Sequence, residues 1–193
     1  MAKLRLFVAI EMPPEMESAL DAAITMLRRD LEGPFAWTPP ESSHLTLKFL
    51  GDVDAGRVDE LSDALDAAMA PLARFELRLS GTGTFPAEGR PSVVWAGLGG
   101  DTEALEGLRV TVESAAAELG FEAETRAFQP HLTLGRVNGG LPDKTMRSLR
   151  DRLSSLRWPK AAAFEVEGVS MVRSELRRGG PRYTTLAVSM LAD

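Results

Sequence analysis

The sequence has no cysteine, and only two histidines and one tyrosine occur in its 193 residues. The lack of cysteine excludes disulfides, thiolate metal ligands and a cysteine nucleophile. Long apolar runs are also missing, since none approaches the roughly 20 residues that a membrane-spanning helix needs. The apolar run that ends at Ile10 is too short for the core of a signal peptide, so we expect a cytoplasmic protein.

Charge is unevenly distributed along the chain. The net charge of -6 argues against a protein that holds nucleic acid over its whole surface, because such binding depends on neutralising phosphates. Residues 144–182, however, contain ten of the 22 Lys and Arg but only four of the 28 acidic residues. This stretch is either a solvated helix face followed by a basic loop at 174–182, or a local contact surface for a phosphate chain.

Strand and helix patterns alternate along the whole chain, which predicts an α+β fold with helices packed on the faces of mixed or antiparallel sheets. No segment has the character of a linker, so we expect one domain over residues 1–193. Its two halves resemble each other in element order, which indicates two similar lobes. Strands are expected at 4–10, 43–50, 75–80, 92–98, 130–135, 164–172 and 183–190, and helices at 14–31, 57–69, 102–119 and 143–156.

Both histidines are followed by the same three residues, in His44-Leu-Thr-Leu47 and His131-Leu-Thr-Leu134. Alternate side chains of a strand share a face, so each strand would present an imidazole and a threonine hydroxyl on one side and two leucines on the other. A single histidine is most often a core residue, but that explanation does not predict the same tetrapeptide twice. Two such strands side by side would form a polar groove.

Two imidazoles suit the hydrolysis of a phosphodiester. With an ordinary pKa near 6.5, one can be protonated while the other is not, so that one donates a proton and the other accepts one. The threonine hydroxyls can donate hydrogen bonds to phosphate oxygens. Two histidines without a nearby carboxylate cluster are too few for a zinc site. A serine or threonine nucleophile stays open, although it would leave one motif unexplained.

The two motifs resemble the paired H-x-T-x motifs of the two-histidine (2H) phosphoesterases. The similarity covers nearly the whole chain and is greatest for the branch called RNA 2′,3′-cyclic phosphodiesterase, formerly 2′-5′ RNA ligase. The segments that carry the resemblance are LRLFVAI at 4–10, WTPPESSHLTLKFLG at 37–51, FQPHLTLGR at 128–136 and the final segment with Ser174-Glu-Leu176, Gly180 and Tyr183.

This resemblance implies a bilobal, pseudo-two-fold fold in which two antiparallel sheets flank a central cleft, with helices outside. It implies hydrolysis of the 2′,3′-cyclic phosphate of an RNA or oligonucleotide to a 2′-phosphate, without metal, ATP or other cofactor. By position, His44 would be the proton donor and His131 the proton acceptor, while Thr46 and Thr133 would hold the phosphate. Since both motifs lie in one chain, we expect a monomer.

Four further side chains are candidates with simpler explanations. Strand alternation predicts that Lys48 shares the face of His44, as a phosphate contact or an ordinary strand lysine. The same alternation predicts that Arg136 lies on the face opposite that of His131, which favours a structural ion pair over a role in catalysis. Phe49 and Tyr183 are candidates for stacking on bases, although such residues are more often core.

Alternative functions remain open on the sequence alone. The same acid and base would serve the reverse reaction, which joins RNA ends through a 2′-5′ linkage. They would also serve hydrolysis of a small cyclic nucleotide or a 2′-5′ oligonucleotide. From another class of protein, the chain would be an RNA- or nucleotide-binding module without activity.

Overall fold

Nine strands and four helices follow one another in a computed structural model, which describes residues 2–160, 162–177 and 180–193. The helices are α1 (Pro14–Asp30), α2 (Val58–Met69), α3 (Thr102–Glu118) and α4 (Asp143–Ser155). The strands are β1 (Lys3–Glu11), β2 (Phe35–Trp37), β3 (His44–Asp54), β4 (Phe75–Phe85), β5 (Val93–Gly100), β6 (His131–Val137), β7 (Ala163–Val166), β8 (Gly168–Arg177) and β9 (Gly180–Met190).

The strands form two sheets, in which every pairing between the named strands is antiparallel. The four-stranded sheet has the order β3-β1-β8-β9, and the five-stranded sheet has the order β2-β6-β5-β4-β7. The predicted α+β class with antiparallel sheets is therefore confirmed. Within the described ranges, none of the helices combines the length and the apolar character that a bilayer crossing requires.

Each sheet has one face on a shared hydrophobic core. Leu20 and Ile24 of α1, Leu65 of α2 and Leu108 of α3 belong to the same buried cluster as Leu45 of β3 and Leu132 of β6. The apolar residues of α1 recur at spacings of three and four, which places them on one side of the helix. The opposite face of each sheet carries the histidine of its motif, and we call it the motif face.

Two predicted segments differ from the structure. The expected single strand at 164–172 is wrong, because β7 and β8 are separate strands that join different sheets on either side of Glu167. The segment before the first motif, where no strand is predicted, contains β2, which pairs with β6. A continuous apolar pattern does not reveal that the chain changes sheets, since each piece alternates normally by itself.

The basic segment at 174–182 is a hairpin of β8 and β9 rather than a loop, and Arg178 lies outside the described residues. Arg173, just before this segment, and Arg177 within it flank one carboxylate: Glu175 lies 3.0 Å from Arg173 and 3.5 Å from Arg177. Local ion pairs therefore neutralise part of the charge that the composition shows in this region.

Candidate active site

The two motif strands place their side chains in the same pattern. In β3, Leu45 and Leu47 are buried while His44 and Thr46 are partly exposed on the motif face. In β6, Leu132 and Leu134 are buried, and His131 and Thr133 are partly exposed. The leucines anchor each strand in the core, so each imidazole and hydroxyl is carried by a rigid element.

Both imidazoles are held by the same backbone contact. Nδ1 of His44 lies 3.0 Å from the carbonyl oxygen of Ser42, and Nδ1 of His131 lies 2.7 Å from that of Gln129. A carbonyl oxygen only accepts hydrogen bonds, so Nδ1–H must be the donor in each pair. Each ring is thereby fixed in orientation, and its Nε2 is the nitrogen that can exchange a proton with a substrate.

A β-bulge interrupts each motif strand at the same place. In β3, Ala9 pairs with Thr46 but Val8 pairs with Lys48, so one residue is skipped. In β6, the skip falls between Thr133 and Gly135. An extra residue shifts the alternation of side chains by one, so the residues beyond it change faces.

The bulge in β3 makes the prediction for Lys48 wrong. Lys48 is buried on the core side, where its Nζ donates to Glu113 Oε1 at 2.6 Å and to the carbonyl oxygen of Glu122 at 2.8 Å. The same carboxylate oxygen also accepts the backbone N–H of Glu124 at 2.9 Å. Lys48 therefore connects β3 to α3 and to the loop that leads to the second motif.

The bulge in β6 turns Arg136 away from the core. Arg136 follows the buried Gly135 and is exposed. The predicted position opposite His131 is wrong, and no described residue forms an ion pair with Arg136 within 4.0 Å. Burial raises the pKa of Tyr183, and the charges of Arg136 and Arg5 oppose that rise. Arg136 of one sheet therefore lies close enough to act on an aromatic residue of the other.

His44 is surrounded by aromatic rings. Its ring centroid lies 4.7 Å from that of Phe7 and 4.9 Å from that of Tyr183, which meets it edge to face. Burial lowers the pKa of His44, while its bond to the Ser42 carbonyl and the charge of Glu11 act in the opposite direction. Glu11 is the cross-strand partner of His44 and accepts a hydrogen bond from the Thr185 hydroxyl.

His131 has a simpler environment. The ring of Phe85 lies edge to face at 4.9 Å, and the cross-strand partner is Gly97, which has no side chain. A Cβ on Gly97 would lie only 2.4 Å from the carbonyl oxygen of Ser80, so the neighbouring strand excludes any larger residue there. No carboxylate takes the place that Glu11 has beside His44.

The chain itself brings the two motif strands together. Strand β2 pairs with β6, and Thr38 immediately after it donates its N–H to the carbonyl oxygen of Leu134 at 2.9 Å. A short turn at Pro40–Ser42 then leads directly into His44. Strands β3 and β6 consequently contact each other although they belong to different sheets.

The two candidate stacking residues differ in exposure. Phe49 lies beyond the bulge, is 61% exposed and has its ring 6.1 Å from that of Phe7. Tyr183 is partly buried against Phe7 at 5.5 Å. Among the residues that the structure describes, no three or more His, Asp or Glu side chains form a group that could hold a metal ion.

Comparison with known proteins gives the family. A model described as LigT like Phosphoesterase matches residues 10–95 and 100–183, which include both motifs. The chain belongs to the LigT-like phosphoesterase family. Two curated relatives are both called RNA 2′,3′-cyclic phosphodiesterase. The one from Thermus thermophilus is 39% identical over 95% of this chain and 88% of its own, and the one from Aeropyrum pernix is 34% identical over 79% and 84%.

Solved structures of this family have the same architecture. A crystal structure of a protein from Thermus thermophilus is similar with a TM-score of 0.79 and 31% identity over 97% of each chain. E. coli LigT in its apo form has a TM-score of 0.76 and 26% identity over all of both chains, and it has also been crystallised with 3′-AMP. The resemblance to the 2H phosphoesterases and the predicted fold are confirmed.

Sequence reasoning missed Glu11, Ser43 and Thr185 as neighbours of His44. Glu11 directly follows the predicted strand 4–10, and its pairing with the first residue of the motif strand is a matter of register. Ser43 immediately precedes the motif, and its position next to His44 in the sequence is the only feature that could have indicated it. Thr185 is more than a hundred residues away in sequence, and nothing in the pattern indicates its contact with Glu11.

Proposed function

We propose that this protein hydrolyses the 2′,3′-cyclic phosphate end of an RNA or oligonucleotide to a 2′-phosphate. The observation that carries the proposal is the pair of equivalent motif strands, each with an imidazole held through Nδ1 and a threonine on the same face. Its relatives from Thermus thermophilus and Aeropyrum pernix are called RNA 2′,3′-cyclic phosphodiesterase, which supports the same substrate class.

In the proposed reaction, water attacks phosphorus, a new P–O bond forms and the bond from phosphorus to O3′ breaks. His131 accepts the proton of the attacking water at Nε2, and His44 donates the proton of its Nε2 to O3′. The hydroxyls of Thr46 and Thr133 donate hydrogen bonds to the two non-bridging oxygens, where negative charge accumulates. The proton taken from water balances the proton given to O3′.

The assignment of donor and acceptor is supported by the neighbours of the two rings. Only His44 has a carboxylate as its cross-strand partner, and the negative charge of Glu11 favours the imidazolium that a donor must be. Burial between Phe7 and Tyr183 works against that form. Burial is the larger influence and lowers the pKa of His44 overall, so the protonated ring is a stronger acid toward the leaving O3′.

We further propose that one chain, as a single domain in the cytoplasm, is sufficient and needs no metal. Both motif strands belong to the same chain, and a protein without cysteine gains nothing from an oxidising compartment. The substrate would contact Arg136 and Phe49, because both side chains are exposed beyond the bulges.

The test is hydrolysis of a short RNA with a 2′,3′-cyclic phosphate end in the presence of EDTA, with separation of 2′- and 3′-phosphate products. We expect the 2′-phosphate alone, at a rate unchanged by the chelator. The variant His44→Ala/His131→Ala is the control for contaminating nuclease. Loss of turnover in EDTA, or a 3′-phosphate product, would contradict the mechanism, whereas binding without turnover would indicate a binding module. Joining of added 5′-hydroxyl RNA would support the reverse reaction as well.

A further inference from the structure

A recess opens beside His44 on the motif face of the four-stranded sheet. Its volume is about 160 Å³, far above the roughly 15 Å³ that a single water molecule needs by the same measure. It therefore admits a group of the size of a planar ring. Its walls are formed by the end of β1, the start of α1, the turn before β3, and β8 and β9.

Apart from His44, which is positively charged when it acts as the proton donor, the charged groups of this recess are all negative. Glu11, Glu17 and Glu41 are its carboxylates, and neither lysine nor arginine is among its lining residues. Glu11 accepts the hydroxyl of Thr185, whereas Glu17 and Glu41 have no hydrogen-bonding or ion-pair partner for their carboxylates among the described residues. Ionised carboxylates only accept hydrogen bonds, so these side chains favour a ligand that carries N–H donors.

Ser43 provides an independent indication of a polar ligand. Its residue surface is only 8% exposed, and its Oγ is buried with no hydrogen-bond partner in the part of the chain that the structure describes. Buried hydroxyls are nearly always paired, because an unpaired one loses the hydrogen bonds that it would make with water. Ser43 lines the recess immediately before His44, so a polar group that enters the recess can supply the missing partner.

We propose that this recess binds the base of the terminal nucleotide and selects bases that carry an exocyclic amino group. The proposal rests on the proposed function, since a cyclic phosphate held by the histidines would have its own base within reach of a recess that adjoins His44. The nearby ring of Tyr183 forms an apolar wall, as the flat face of a base requires.

A comparison of cytosine with uracil tests this proposal, because the two bases have nearly the same size and shape. Cytosine has an N4 amino group that donates to a carboxylate, whereas uracil has O4, an acceptor, at the same position. A carboxylate attracts the first group and repels the second. A well-placed pair of this kind discriminates between bases by about 1 to 3 kcal/mol, or roughly five- to hundredfold.

The experiment compares kcat/KM for cytidine and uridine 2′,3′-cyclic phosphates in the wild-type protein and in variants of the recess. We expect about tenfold preference for cytidine. The preference should fall to about twofold or less in Glu17→Gln/Glu41→Gln, since glutamine can both donate and accept, and it should decrease in Ser43→Ala. Glu15→Gln removes the same charge from the same helix without touching the recess, so its preference should equal that of the wild type.

Binding of cytidine and uridine 2′-monophosphates, measured by calorimetry, separates this inference from the proposed function. Tighter binding of the cytidine compound without turnover of either cyclic phosphate would support the recess and contradict the enzyme. Equal affinities and equal kcat/KM would overturn the recess. A cytidine preference that persists in Glu17→Gln/Glu41→Gln would overturn it too, because the discrimination would then arise elsewhere. Glu11 is left intact in these variants because it also acts on His44.

Discussion

The strands that carry His44 and His131 share one skeleton but differ in their surroundings. Each has two core leucines, a carbonyl that holds Nδ1, and a bulge after the motif. His44, however, lies between two aromatic rings and opposite Glu11, while His131 meets one ring and lies opposite Gly97. The common skeleton fixes where the two imidazoles are, while the neighbours of His44 also change its pKa, chiefly through burial, which lowers it.

The position immediately after the bulge shows the same division between shared backbone and different side chains. In β3 it is occupied by Lys48, which reaches into the core and binds Glu113. In β6 it is occupied by Gly135, where a Cβ would lie 2.8 Å from the ring of Trp37. One bulge is thus stabilised by an ion pair and the other by close packing of an aromatic residue. Equivalent backbone geometry has been reached by unrelated interactions.

The largest expected effect is the loss of either imidazole. His44→Ala and His131→Ala should each reduce kcat about 10³-fold, since a positioned acid or base typically contributes 10²- to 10⁴-fold. Steady-state kinetics on a cyclic nucleotide would measure this, with circular dichroism to verify the fold. If one variant kept near wild-type activity, only one histidine would act on the proton and the comparison between the strands would lose its chemical meaning.

The threonines should come next. Thr46→Val and Thr133→Val each remove one donor to a phosphate oxygen while keeping the shape of the side chain, and we expect about 10²-fold lower kcat for each. Thr→Ser in each position is the matched control, because it retains the hydroxyl. Unequal losses, in kcat/KM measured on one substrate, would show that the phosphate is held mainly by one strand.

A smaller effect is expected on the stability of the protein, and it concerns β3 alone. Lys48→Met leaves Glu113 without its buried cation, so we expect about 3 kcal/mol less free energy of unfolding in urea denaturation. Lys48→Met/Glu113→Leu should recover at least half of this loss, because the uncompensated carboxylate is then gone too. A single variant as stable as the wild type would mean that the ion pair does not stabilise the bulge.

The smallest expected effect concerns pH. A donor must be protonated, so activity falls as pH rises through the pKa of His44, which burial lowers below the ordinary histidine value. Glu11→Gln removes a charge that raises this pKa, so the decline should begin at lower pH, with about threefold lower kcat/KM at pH 7.5 and a difference that disappears once the pH is below the pKa of His44 in both proteins.

The site of the change can be identified directly. Carbon-13 or nitrogen-15 NMR of the two imidazoles should show a lower pKa for His44 in Glu11→Gln and the same pKa for His131 as in the wild type. Glu15→Gln is the charge-matched control, since it lies outside the surroundings of His44. A shift of both resonances, or of neither, would contradict the distinction drawn between the two rings.

The sequence predicted the elements well where local patterns determine them. Apolar residues that recur every two residues predict both motif strands, and those that recur about every 3.6 residues predict all four helices. The period of two also predicts which face of each motif strand carries the core leucines. Prediction failed at Lys48 and Arg136 because a bulge has no strong local signal and reverses everything after it. It failed again near Glu167, where one apparent strand is two, because sheet membership depends on tertiary contacts.

The recess beside His44 illustrates a second limit. Its lining residues come from positions 11–44 and 172–185, and Glu11 meets Thr185 only because β1 and β9 flank β8 in one sheet. No spacing in the sequence relates these residues. Motif reasoning therefore predicts the two histidines but not the carboxylates that distinguish one of them.

The order of strands in the two sheets limits how the chain can be divided into fragments. The four-stranded sheet takes β1 and β3 from the beginning of the chain and β8 and β9 from its end, while β2, which precedes β3, belongs to the other sheet. A cut at any peptide bond between residues 55 and 162 therefore leaves both sheets incomplete in both fragments. Neither half of the chain can be an independent unit with one histidine, and two fragments would regain a site only by assembling strand by strand with each other.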